Sequence, residues 1–90
     1  MQVFFEPAFI KDLQTLEPDI RRRVEGFCLE IAPTAKDIRD CFECDLKRMV
    51  GRKDSYRVRI GDYRIGFKIN NGIIVFVRVL HRKEMYRHFP

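Results

Sequence analysis

The sequence has no apolar run approaching the roughly 18 residues needed to cross a membrane. Its start, Met1-Gln2-Val3-Phe4-Phe5, lacks the charged opening and long apolar stretch of a secretory signal, and Glu6-Pro7 closes it. A cytoplasmic location and no membrane partner are therefore expected. Cysteine is scarce and odd in number: Cys28, Cys41 and Cys44. That excludes a fully paired disulfide framework and fits free thiols in a reducing compartment. Cys41-Phe42-Glu43-Cys44 has the spacing of half a zinc site, yet a site needs four ligands and only Cys28 and a histidine remain. No metal and no cofactor are expected, and these cysteines read as small hydrophobes. Histidine is limited to His81 and His88, with no evident acid/base pair. There is no internal repeat and no low-complexity segment, so residues 1–90 read as a single domain.

Positive charge is what the chain has in excess. Eighteen Lys and Arg stand against 13 Asp and Glu, a net charge of +5 with a pI near 9.4. Such an excess points to a polyanionic partner, nucleic acid before membrane. Arg21-Arg22-Arg23 resembles a nucleic-acid run, but on a helix the three spread over about 200° and mainly form a solvated face. A contact with nucleic-acid phosphates is the alternative for them.

The hydrophobic period divides the chain in two. Residues 2–5 read as a short strand, and Pro7 suits the first turn of a helix. Phe9, Ile10, Leu13 and Leu16 recur at helical spacing. Pro18 and Asp19 start a second helix, whose stripe is Ile20, Val24, Phe27, Cys28 and Ile31 and which ends before Pro33. Two helices joined by so short a link run antiparallel. Residues 34–45 read as a loop, with a possible helical turn around Lys36–Arg39. From Leu46 the period becomes two. Leu46–Met49, Tyr56–Ile60, Tyr63–Ile69 and Ile73–Leu80 are strands, and one helical turn is expected from Lys83. The fold class is α+β: an N-terminal strand and an antiparallel two-helix hairpin packed on a mostly antiparallel sheet of about four strands.

Turn chemistry decides where the arginines point. Gly61-Asp62 has the composition of a two-residue hairpin loop, which pairs Ile60 with Tyr63, Arg59 with Arg64 and Val58 with Ile65. Tyr56, Val58, Ile60, Tyr63, Ile65 and Phe67 then share one face, and Arg57, Arg59, Arg64, Gly66 and Lys68 the other. At the next turn, a two-residue Asn71-Gly72 loop would set Arg78 beside Ile65 in the core and turn Val75, Val77 and Val79 out. A three-residue loop, Asn70-Asn71-Gly72, pairs Ile69 with Ile73 instead. It carries Ile73, Val75, Val77 and Val79 into the core and sets Arg78 opposite Arg64. A one-residue slip inverts every side chain, and burying an unpaired Arg costs several kcal/mol, so the three-residue loop is expected. One solvent face then carries Arg57, Arg59, Arg64, Arg78 and Arg82. Opposed like charges disfavour folding by up to about 1 kcal/mol, which makes an anionic ligand the simplest reason for the cluster; a solvated basic face partly neutralised by Glu43, Asp45 and Asp54 is the alternative.

The segment Tyr56-Arg57-Val58-Arg59-Ile60-Gly61-Asp62-Tyr63-Arg64-Ile65 resembles one found in the RelE/ParE toxin superfamily. So does Val79-Leu80-His81-Arg82-Lys83-Glu84-Met85-Tyr86, whose Arg followed four residues later by Tyr is similar to the catalytic end of RelE-type enzymes. The resemblance implies the RelE-like microbial RNase fold. It also implies the toxin of a type II toxin–antitoxin system, a ribosome-dependent endoribonuclease that cuts mRNA in the A site. It implies a RelB-like antitoxin as partner, mRNA and ribosomal RNA as targets, operator DNA for the toxin–antitoxin complex, and no cofactor. By position it assigns catalysis to Arg57, Arg59, Arg64, Arg82 and Tyr86; RNA contacts are expected from Arg78, Lys53, Lys47 and His88. The best-known enzyme of the family has lysines at the positions of Arg57 and Arg59, and an arginine is a poor general base. By strand parity His81 points with Val79 toward the core side, as a structural histidine at a strand end. A ParE-like toxin that binds DNA gyrase without catalysis is the alternative, and an inactive regulator the third.

Overall fold

The computed structural model describes residues 2–34, 45–48 and 55–88, with backbone alone for 45–48 and Tyr86. Strand β1 (Gln2–Phe5) leads through Glu6 into α1 (Pro7–Gln14), with Pro7 in the first turn. Helix α2 (Pro18–Gly26) follows at once. The Arg21 guanidinium donates to the Gln14 carbonyl at 3.0 Å, covering an orphan acceptor at the end of α1 and closing the hairpin.

Helix α2 does not stop before Pro33. It widens into a π-helical turn over Phe27–Ile31 and ends as α3 (Ala32–Thr34). The Ala32 N–H donates to the Phe27 carbonyl, five residues back, so the turn holds one residue more than an α-helix allows. That changes the phase of the apolar stripe. Ile31, expected inside, is 41% exposed, and Ala32 is fully buried in its place. The Thr34 hydroxyl donates to the carbonyls of Glu30 and Ile31, at 3.0 and 3.1 Å. Of the loop expected over 34–45, Thr34 instead ends α3 and Asp45 opens a strand, while residues 35–44 and the helical turn expected there lie outside those described, as do Lys53, Cys41 and Cys44.

Strands β2 (Asp45–Arg48), β3 (Ser55–Ile60), β4 (Tyr63–Asn70) and β5 (Ile73–His81) form a meander. The sheet has five strands in the order β1-β5-β4-β3-β2, because β1 adds to β5 in parallel. A short helix, α4 (Arg82–His88), packs back on β4 and β5. It starts one residue before the turn expected from Lys83 and is longer than it.

The Gly61-Asp62 turn has the expected register, with Gly61 at φ 59° as the first position of a type II′ turn requires. The second turn does not. Asn71 and Gly72 have φ of 50° and 78°, the pattern of a two-residue type I′ loop, and Asn70 pairs with Ile73. The three-residue loop expected there is thus wrong, and so is Arg78 opposite Arg64. Between Phe67↔Phe76 and Gly66↔Arg78 the ladder passes over Val77, a β-bulge that shifts the register. Below the bulge Ile74 and Phe76 point inward in place of Ile73 and Val75; above it Val79 does. Arg78 now faces Gly66, and Arg64 faces Leu80. One extra residue thus keeps the tight turn, the apolar interior and an ion-paired guanidinium outside the main core together.

The core lies between the helices and one face of the sheet. Phe76 is its centre, with ring centroids 5.5 Å from Phe5, 5.6 Å from Phe9 and Phe67, and 6.2 Å from Phe27. Fully burying a side chain of this size stabilises by about 2–3 kcal/mol, and truncating Phe76 to Ala would cost about 3–5 kcal/mol because a cavity is added.

Candidate functional site

The sheet face away from the main core carries the arginines. Two cross-strand rows define it. One row runs Lys47–Arg57–Gly66–Arg78 across β2, β3, β4 and β5, and the next runs Asp45–Arg59–Arg64–Leu80. Arg59 and Arg64 are directly opposed, as the hairpin register required. Arg59 is exposed, and Arg57 and Arg64 are half-buried. Gly66, between Arg57 and Arg78, contributes no side chain and is itself buried.

Arg64 is anchored through one nitrogen, which donates to the carbonyls of Gly61 and Tyr63 at 3.1 and 3.0 Å. Those acceptors are neutral carbonyls, so the side chain is positioned without an ion pair among the described residues. Arg82 is not on the sheet, as the sequence pattern had placed it, but opens α4. Its backbone N–H donates to the Asp62 carbonyl at 2.8 Å, which ties the start of α4 to the turn two residues before Arg64. Among the described residues no carboxylate pairs with Arg64 or Arg82. Tyr86 lies four residues beyond Arg82, one helical turn along α4 and on the same side of it.

Two expected contacts are placed otherwise. Arg78 forms a fork to Asp12 of α1, with Nε to Oδ2 at 2.7 Å and Nη2 to Oδ1 at 3.0 Å, and its side chain is only 25% exposed. That hydrogen bond first, and the charge of Asp12, hold the Arg78 guanidinium still more firmly protonated. Its charge is spent inside the monomer, so Arg78 leaves the set of RNA contacts. His88 stands 3.7 Å from Glu84, one turn back, on a different side of α4 from Arg82 and Tyr86. Lys47 stands beside Arg57 in register.

Sequence patterning missed Asp12. Its signal was an acid one turn after Phe9 on the inner side of α1, where an unpaired carboxylate is not tolerated. Cys28 is buried, and burial first, then the charge on Glu25, pushes its thiol far above the ordinary range. It is a core hydrophobe with no thiolate chemistry. Among the described residues no group of His, Cys, Asp and Glu is arranged to hold a metal ion.

Residues 3–86 match the family model for the ParE toxin of the type II toxin–antitoxin system parDE, which defines the class of the protein. Over its full length the chain is 39% identical to the toxin RelE3 of Methanocaldococcus jannaschii, covering 100% of both. The structure is similar to the RelB–RelE antitoxin–toxin complex from Methanococcus jannaschii, with a TM-score of 0.82 and 36% identity over 97% of this chain and 99% of that one. The RelBE2 toxin–antitoxin complex of Mycobacterium tuberculosis gives a TM-score of 0.65 and 26% identity over 90% and 96% of the two chains. The chain belongs to the RelE/ParE toxin superfamily and, by these full-length relatives, to its RelE-type branch.

Proposed function

We propose that this chain is the toxin of a type II toxin–antitoxin pair and an endoribonuclease that cleaves mRNA in the ribosomal A site. The observation that carries this reading is the Arg59–Arg64 opposition. Two guanidinium-bearing residues face each other across a hairpin, with Arg57 beside them and Arg82 bound to the same turn. Full-length similarity to RelE toxins supplies the reaction class.

The reaction is attack by a ribose 2′-OH on the adjacent phosphate, which leaves a 2′,3′-cyclic phosphate and a 5′-OH. Negative charge grows on the phosphoryl oxygens in the transition state. Arg64 and Arg82 meet that charge, with Arg82 toward the leaving oxygen, because guanidinium forks match phosphate geometry. Arg57 and Arg59 hold the backbone in line and favour the 2′-alkoxide electrostatically. Tyr86 stacks on or orients a base. Arginine is a poor general base, so alignment rather than proton transfer carries the rate, and the ribosome supplies that alignment. No metal is assigned a role in this scheme. A RelB-like antitoxin silences the toxin, as solved relatives were captured with RelB. The pair together binds operator DNA.

Mapping mRNA 5′ ends in cells that express the chain tests the reading. New ends at codons within translated frames, absent with Arg82→Ala, are expected. Growth arrest with intact mRNA and inhibited gyrase would instead assign the ParE-like activity.

A further inference from the structure

The short helix α4 carries Arg82 and Tyr86, and what holds its first turn is unusual. The first backbone donor, Arg82 N–H, goes to the Asp62 carbonyl at 2.8 Å. The next, Lys83 N–H, goes to Nδ1 of His81 at 3.2 Å. His81 is the last residue of β5 and pairs with Tyr63 of β4, its ring edge-on to the tyrosine at a centroid distance of 5.5 Å. The imidazole is thus fixed on one side by an aromatic contact and accepts a backbone amide with the other. Asn, Asp, Ser and Thr usually do this at a helix start; here an imidazole does.

We propose that His81 is the N-cap of α4 and a positioning residue for Arg82 and Tyr86, and that a second proton on its ring releases the helix. The inference rests on the endoribonuclease reading for its consequence, and on the hydrogen bond alone for its cause. A neutral imidazole offers Nδ1 as an acceptor only when the proton sits on Nε2. The imidazolium carries N–H at both nitrogens, so Nδ1 then opposes the Lys83 donor it had accepted from. A cation at a helix start is also unfavourable to the helix dipole.

The charges around the ring mostly add to this. Arg82 and Lys83 follow it on α4, Arg64 lies next to its partner Tyr63 on β4, and Arg23 of α2 reaches the Gly61 position. Against them stand Asp62 of the turn, Glu84 of α4, and Asp12 of α1, which accepts the Val79 N–H two residues before His81. Asp12 is already committed to Arg78, and Glu84 lies beside His88. Asp62 is the remaining carboxylate of the three, set against the cations of Arg82, Lys83, Arg64 and Arg23.

Three proteins separate this role from a merely structural one. His81→Asn keeps an acceptor and loses the ring; His81→Phe keeps the ring edge against Tyr63 and loses the acceptor. The wild type is expected to lose kcat for ribosome-bound mRNA as pH falls from about 8 to 5.5, the range in which imidazoles protonate, with KM little changed. His81→Asn should retain most of the rate at neutral pH and lack the acid limb. His81→Phe should be slow at every pH, with Lys83 amide exchange faster by about fivefold, the scale of one lost cap. An unchanged acid limb in His81→Asn, or a wild-type rate in His81→Phe, would overturn the assignment. Amide exchange at Lys83 reports the cap without reference to any substrate. A cap seen there in protein that cuts no mRNA would sink the ribonuclease reading and leave the cap standing.

Discussion

Arg78 and Asp12 are 66 residues apart in the chain and lock together through two hydrogen bonds of 2.7 and 3.0 Å, while the same carboxylate accepts the Val79 N–H at 3.1 Å. One side chain therefore holds both α1 and the edge of β5 just where β1 has left off. Removing one member of a buried ion pair costs about 3–5 kcal/mol, and partial exposure of this pair lowers that to about 2. Asp12→Ala should lose about that much in urea unfolding. Arg78→Met keeps the packing but leaves the Asp12 carboxylate with only the Val79 N–H, so it should lose about as much. Arg78→Met should also leave ribosome affinity and its salt dependence unchanged. A drop equal to that of Arg64→Ala would return Arg78 to the RNA interface.

Arg64 and Arg82 are expected to act as a unit. Each Ala variant should lower single-turnover cleavage by about 100- to 1000-fold, the scale of one lost charge-stabilising donor, and the double variant by much less than the product. Stability should hold within about 0.5 kcal/mol for Arg82→Ala, while Arg64→Ala gives up two hydrogen bonds to backbone carbonyls and should lose about 1 kcal/mol. Arg64→Gln relieves the like charge facing Arg59 and keeps a donor near the turn, so it should lose less than Arg64→Ala.

The Cys28 thiol gives a pH prediction with a definite sign. Its folded pKa is raised by burial, while the unfolded chain ionises this thiol near pH 8.5, about the usual value. Its contribution to stability is therefore intact below about pH 8.5 and falls above it, by about 1.4 kcal/mol per pH unit. Cys28→Ala lacks this loss. The stability gap between wild type and Cys28→Ala should narrow as urea titrations are taken from about pH 8 to about pH 10. A constant gap would mean that the folded thiol ionises. Peptide mapping after native alkylation should find Cys28 unmodified.

Gly61 stands at φ 59°, and a Cβ there would lie 3.4 Å from an Arg23 nitrogen and 3.6 Å from Ile20 Cδ1. Those are ordinary contacts, so Gly61→Ala meets the left-handed penalty alone, about 1–2 kcal/mol. Gly72, at φ 78° with nothing within 4 Å, should show a loss of the same size. A loss at Gly61 far above that at Gly72, measured by thermal melting with van't Hoff analysis, would mean that α2 cannot accommodate the methyl.

The elements and the first hairpin were legible because each rests on local chemistry. Pro7 and Pro18 start helices, and Gly61-Asp62 fixes a register from which the Arg59–Arg64 pair follows. The errors have one cause. Periodicity counts residues evenly, and at two places the chain holds one more than the count allows: the wide turn at Phe27–Ile31 and the bulge at Val77. Each serves a distant need. The wide turn brings Ala32 under cover in place of Ile31, and the bulge lets Arg78 reach Asp12 while Val79 stays inside. Asp12 and the His81 cap escaped for a related reason, since each partner lies in another element or across an element boundary.

Val77 is the one residue the β4–β5 ladder passes over, and this makes the strand tolerant where strands are usually brittle. In a regular strand, a codon gained or lost before α4 would rotate everything downstream by half a turn and send Arg82 out among the helices. A strand with a slack residue can move that slack along itself instead. Asp12 grips the backbone beyond it, so the direction in which the chain leaves the sheet is set by α1 and not by how many residues precede it. The run from the Asn71-Gly72 turn to the first residue of α4 is thus held by two anchors, the turn and Asp12, with its slack residue between them.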